Sequence, residues 1–143
     1  MWCTPSPPTE LDLEFRKGVP PSRFLEWLTL WDLSIICKDA VAKKHIPVKS
    51  AQAVTQEYKY FLALVGGRPD LPIPASGMVD TFWHHHLLFT HNYDKMCSKV
   101  FRRFIHHEPA ILVDDPTKRY LTTDELDDLF KAELGVERSQ SLW

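Results

Sequence analysis

Eleven prolines divide the 143 residues of this chain, and their positions decide where a helix can run. Proline fixes φ and withdraws the amide donor, so a helix accepts it in the first turn and breaks at it elsewhere. Five of them, Pro5, Pro7, Pro8, Pro20 and Pro21, fall in the first 21 residues, which read as an extended or loosely wrapped arm. Within that arm Leu11, Leu13 and Phe15 alternate with Asp12 and Glu14, the pattern of a short strand or of a segment laid over the core. Pro47, then Pro69, Pro72 and Pro74, then Pro109 and Pro116 separate the windows that remain.

Helical spacing fills those windows. From about Ser22 to Lys44, Phe24, Leu28, Trp31, Ile35 and Val41 form one stripe, widened by Trp27 and Leu30, with Ser22 as the cap. Lys43-Lys44-His45-Ile46-Pro47 ends it with positive charge at the negative end of the helix dipole. A second helix runs from Val48 or Ser50 to Val65, burying Val54, Tyr58, Phe61, Leu62 and Val65 and leaving Lys49, Gln52, Glu57 and Lys59 in water. Gly66-Gly67 is read as its left-handed stop. Residues 78–101 read as a third helix, continuous or broken near Thr90, after a stiff loop over 68–77. Ala110-Ile111-Leu112-Val113 and Lys118-Arg119-Tyr120-Leu121 flank Asp114-Asp115-Pro116-Thr117 as a candidate hairpin. The last helix has the strongest local signal: Thr122 and Glu125 form a capping box, Leu121 staples to Leu126, and Gly135 closes it.

The expected fold is therefore all-α, or mostly α. It is a compact orthogonal bundle of four to five helices, with a short hairpin or extended segment before the last helix. Residues 1–21 are set apart as a proline-rich arm, 22–137 as a single helical domain and 138–143 as a C-terminal tail. An apolar share of 44% suffices for a core without disulfides, since a chain of this size can bury about two thirds of its surface.

Several function classes drop out on composition. No apolar run approaches the length of a membrane span, so no membrane partner is expected. Met1-Trp2-Cys3-Thr4-Pro5 lacks the basic region and apolar run of a secretory signal. Cys3, Cys37 and Cys97 share no repeating spacing and read as reduced thiols, which points to a cytoplasmic location. Residues 1–107 hold 13 basic against 10 acidic side chains, and residues 108–137 hold three against nine. The one basic cluster, Lys95, Lys99, Arg102 and Arg103, is too small for a nucleic-acid footprint.

Six of the seven histidines lie between His84 and His107. At about 100° per helical residue, Asp80 falls about 40° and His91 about 20° from His84, so the three share one stripe, while His86 points nearly the opposite way. His106 and His107 come after the helix, and either can cross over to complete a site begun by Asp80 and His84. Neutral imidazole and carboxylate suit a divalent metal ion, zinc or iron, and three such ligands leave positions open for water or substrate. Cys97 would be a further, zinc-favouring ligand if it reached the site, and is otherwise a small buried side chain. His85 reads as an exposed helix residue, and His86 as either a core histidine or, with Tyr93, a proton shuttle. His91 leaves the stripe if the helix breaks near Thr90.

The string Val79-Asp80-x-x-Trp83-His84-x-His86-Leu87-Leu88, followed by Tyr93, Cys97 and His106-His107-Glu108-Pro109, resembles the glycine-rich-domain-containing-protein-like family over about residues 78–109. That resemblance implies a small helical region in which Asp80, His84, His86, Tyr93, Cys97 and His107 are the recurrent polar positions. It implies no particular reaction. The chain departs from the pattern at Arg102-Arg103, where a glycine after the equivalent of Phe101 would be expected.

Two functions follow as expectations. The first is a small metal-dependent enzyme acting on a small molecule or peptide, hydrolytic with zinc and oxidative with non-haem iron. The second is a structural-metal or metal-free module that binds a protein partner without catalysis.

Overall fold

Among the residues that the structure describes, 16–107 and 120–143 of a computed structural model, every regular element is helical. The all-α expectation holds, with six α-helices among those residues and no strand. The finer divisions come from local chemistry. Helix α1 (Pro21–Thr29) starts one residue before Ser22. Pro20 is its extended N-cap and Pro21 fills the first helical position, where a missing N–H breaks no helical bond.

The single helix expected over 22–44 is two. Leu30 N–H closes back onto Trp27, and the Asp32 carboxylate accepts the Ser34 amide at 2.9 Å, which starts α2 (Ser34–Ala42). The break rotates the apolar stripe, so that Ile36 and Ala40 are buried and Ile35 is 58% exposed. Helix α2 ends in a Schellman turn, with His45 N–H on the Ala40 carbonyl and Lys44 N–H on that of Val41. Lys44 holds the left-handed position at φ 60° that glycine usually takes.

A 3₁₀ turn at Val48–Ser50 leads into α3 (Ala51–Gly67), which buries Val54, Tyr58, Phe61 and Leu62. Gly66 and Gly67 do not stop this helix by a left-handed turn, since neither has positive φ. They mark close approaches instead: a Cβ on Gly66 would enter the Phe101 ring, and one on Gly67 would lie 2.5 Å from Pro21. Glu57, expected in water, is buried, and its carboxylate accepts the Ser139 amide and the Trp143 indole N–H.

The window 78–101 takes the broken form. Helix α4 (Gly77–Leu88) stops at Phe89, whose φ −86° and ψ 67° leave the helical region. Helix α5 (Thr90–Met96) continues into a π-helical turn, Cys97–Phe101, and Arg102 exits in the left-handed conformation. Helix α6 (Thr123–Leu129) has the capping box that its sequence announced, with Glu125 N–H on Thr122 Oγ1 at 3.2 Å. It ends through a π turn, Phe130–Leu134, at Gly135 with φ 66°.

Helix α1 packs along α3, and α4 packs against both α3 and α2. Their buried faces make one core, and Leu64, Leu126, Leu129 and Phe130 make a smaller one. Trp143 touches both. The last six residues, set apart above as a tail, fold against the helices: Leu142 is buried and the Trp143 ring meets Phe61 and Phe130. No helix among the described residues is long and apolar enough to cross a membrane. The alternating segment Leu11–Phe15, the candidate hairpin strand and turn over 110–119, Glu108 and Pro109 lie outside the described residues.

Candidate metal centre

Helix α4 carries Trp83, His84, His85 and His86 within one turn, so their side chains leave the axis about 100° apart. Four neighbours therefore face four different partners. Trp83 is buried, donates its indole N–H to Tyr93 Oη at 3.1 Å and packs against the His107 ring. His84 points outward toward His107. His85, expected in solvent, is only 5% exposed. Its Nδ1 lies 3.2 Å from Asp39 Oδ2 and its Nε2 lies 2.7 Å from His45 Nδ1. One proton on each Nδ1 satisfies the whole chain, from His45 to His85 to Asp39. Lys43, and after it His85, hold the Asp39 carboxyl below its usual range by hydrogen bonding. Asp39 and His45 were not singled out from sequence, and their distance along the chain from His85 gives no signal of this contact.

His86 turns into the core. Its Nε2 bonds Asn92 Oδ1 at 2.7 Å, so that nitrogen carries the proton and Nδ1 accepts from the Tyr58 hydroxyl at 2.8 Å. Burial pushes its pKa down to about 4, which keeps the imidazole neutral near pH 7. Tyr93 is buried as well, its hydroxyl donates to the Ile105 carbonyl, and burial raises its pKa far above the usual value. His86, read above as a core histidine or, with Tyr93, a proton shuttle, thus lies with Tyr93 in the core, away from Asp80, His84 and His107. Both nitrogens of one and the hydroxyl proton of the other are engaged inside the core.

The convergent group is Asp80, His84 and His107. Asp80 and His84 sit one turn apart on α4. His107 arrives on the segment after the π turn, which is held by Arg103 Nη2 on the Val65 carbonyl at 3.0 Å and by the buried Ile105. His84 Nε2 is 2.8 Å from His107 Nε2, His107 Nε2 is 3.2 Å from Asp80 Oδ1, and His84 Nε2 is 3.6 Å from Asp80 Oδ2. Ligands about 2.1 Å from one ion stand about 3.0 Å apart at right angles and about 3.4 Å apart in a tetrahedron. The three separations, 2.8 to 3.6 Å with one to each Asp80 oxygen, bracket those values. A proton on His107 Nε2 would be shared between Asp80 Oδ1 and His84 Nε2, and a cation held in common would take the place of that proton.

The other expected ligands fall elsewhere. His106, next to His107 on an extended segment, is exposed beside the Phe104 ring. Cys97 is fully buried next to Tyr93, and burial pushes its thiol up to about 11. His91 lies exposed on α5, beyond the break at Phe89, and is not part of the group. The group opens to solvent, with the His84 side chain 55% and the Asp80 side chain 35% exposed. A cleft of about 470 Å³ between the α1–α2 turn and α3, walled by Trp31, Gln52 and Lys59 among others, includes none of the three.

Comparison with known proteins gives one family. The model of the UCP032817-like family matches residues 26–123, more than two thirds of the chain. The chain belongs to that family. No curated protein and no solved structure matches the chain. The UCP032817-like match corrects the resemblance drawn above to the glycine-rich-domain-containing-protein-like family: the string from Val79 to Pro109 lies inside the span of a different, uncharacterised family. The UCP032817-like span includes Asp80, His84 and His107 together with α2 to α5, so the elements that shape the group belong to the family's common part.

Proposed function

We propose that the chain binds one divalent transition-metal ion, zinc or ferrous iron, through Asp80 Oδ, His84 Nε2 and His107 Nε2, and that it is a small metal-dependent enzyme. One observation carries the reading: two imidazole nitrogens and a carboxylate oxygen converge on a common volume at separations suited to a single ion. Two histidines and one carboxylate are a donor set used by both catalytic zinc and non-haem iron. Among the described residues no fourth histidine, cysteine or carboxylate joins them, and the exposed side of His84 leaves room for a substrate. Three protein ligands with open positions are the catalytic pattern, whereas structural zinc is closed by four.

When bound, the ion would supply Lewis acidity for hydrolysis if zinc, or redox chemistry if iron. The chain's own residues divide the remaining work. Asp80 offsets the charge of the ion, His84 and His107 fix its place between α4 and the 102–107 segment, and the Trp83 ring shields the inner side of His107. The open face, with the His84 side chain 55% exposed, suits a small molecule or an exposed peptide segment.

Elemental analysis of protein purified without an affinity tag or nickel resin tests this. The expected result is one zinc or iron per chain, falling below a tenth of an ion in His84→Ala. A wild-type chain that retains neither metal after reconstitution and desalting would overturn the proposal. Stoichiometric metal that no small-molecule or peptide hydrolysis or oxidation assay can exploit would transfer the site to the structural, protein-binding alternative.

A further inference from the structure

We infer that Tyr93 and Trp83 are positioning residues for His107, a role that rests on the metal-binding reading above. The segment that delivers His107 needs such support, because residues 104–107 belong to no helix or strand and have no ladder to fix their path. The Tyr93 hydroxyl supplies it at two points. Its proton goes to the carbonyl of Ile105, two residues before His107, and its oxygen accepts the Trp83 indole N–H at 3.1 Å. A phenol has one proton, so the direction of both bonds is set. The indole, pinned by its N–H, stands against the His107 imidazole with ring centroids 4.3 Å apart and planes at 63°. One hydroxyl thus holds both the backbone that carries the ligand and the wall against which the ligand's ring rests.

Tyr93 is 1% exposed and Trp83 8%, so these bonds lie away from water, where they are stronger and where an unmade bond costs more. Groups hydrogen-bonded directly to a metal-binding histidine change metal affinity by about 10- to 100-fold when removed, and that range sets the scale for Tyr93 and Trp83. A second buried tyrosine provides the control. Tyr58 also donates its hydroxyl to a core partner, His86 Nδ1 at 2.8 Å, but its ring packs on Phe82 and His86 rather than on the segment bearing His107.

The test is cobalt(II) affinity of the full chain by competition with a chromophoric chelator, with the cobalt visible spectrum and a thermal melt for each variant. Tyr93→Phe is expected to weaken binding about 10- to 100-fold and to shift the cobalt bands. Tyr58→Phe, although it too removes a buried hydrogen bond, is expected to stay within 3-fold of wild type, an order-of-magnitude bound set by its lack of contact with the ligand segment (roughly no outer-sphere loss). Trp83→Phe, which keeps a ring but loses the N–H, is expected to weaken binding about 10-fold, and it carries the test alone if Tyr93→Phe does not fold. Wild-type affinity in Tyr93→Phe, or in Trp83→Phe where that variant stands alone, would overturn the inference. Equal losses in Tyr93→Phe and Tyr58→Phe would overturn it too, because general loosening would then explain both. If His84→Ala loses cobalt while Tyr93→Phe does not, only this inference fails. A wild-type chain that binds no cobalt removes the metal site itself.

Discussion

Cys97 lies fully buried against Tyr93 in the π turn that follows α5, and that burial has a measurable consequence. Its thiol is pushed up from an ordinary value of 9.0 to about 11. The unfolded chain therefore releases this proton first, and alkali favours unfolding between pH 9 and pH 11. Below pH 9 the contribution of the thiol to stability is complete. Urea denaturation at pH 8 and pH 10.5 should show a loss of about 2 kcal/mol that is absent from the same comparison in Cys97→Ala, at about 1.4 kcal/mol per unit of pKa difference. Identical pH slopes in the two proteins would contradict the burial argument. The same contrast separates Cys97 from the group at Asp80, because a thiol held neutral in the core is a poor metal ligand. Residue type alone could not separate the three histidines of His84-His85-His86. Helical geometry turned His84 toward Asp80 and His86 away from it, but it could not show that Asp39 and His45 wait for His85 on α2 and the turn beyond it.

At the scale of elements, the parts readable from sequence are those decided by neighbours along the chain. The capping box at Thr122 and Glu125 is such a part, since both its bonds span three residues. Thr122→Ala should cost about 1 kcal/mol of folding free energy in urea denaturation, with Thr122→Ser close to wild type. A Thr122→Ala chain as stable as wild type would show that α6 draws no stability from its cap. The parts that sequence concealed are decided by contacts far apart. Ile35 continues the stripe of α1 only if the helix is unbroken, and the Asp32 to Ser34 bond breaks it. Gly66-Gly67 has the composition of a helix stop, yet Phe101 and Pro21 are what require the missing side chains. Glu57 has the pattern of a wet residue, and only the return of Ser139 and Trp143 explains its burial.

Across the whole molecule, the helices serve to bring one turn of α4 against a segment more than twenty residues later. Helix α3 holds α4 from one side and α2 holds it from another. The helix breaks at Phe89, and the π turn ends at Arg102 in the left-handed conformation, after which the chain sets His107 against Asp80, Trp83 and His84 of α4. The stripe of Asp80 and His84 was legible because it lies within one helix. His107 rather than His106 could not be chosen, because that choice depends on the path after Arg102 and on the Tyr93 bond to Ile105. The most direct measurement is X-ray absorption at the metal edge of the reconstituted chain. Two imidazoles and light-atom ligands at about 2.0 to 2.2 Å, with no sulfur near about 2.3 Å, are the expected shell. A sulfur at that distance, or a chain that holds no ion after desalting, would contradict the assignment of Asp80, His84 and His107.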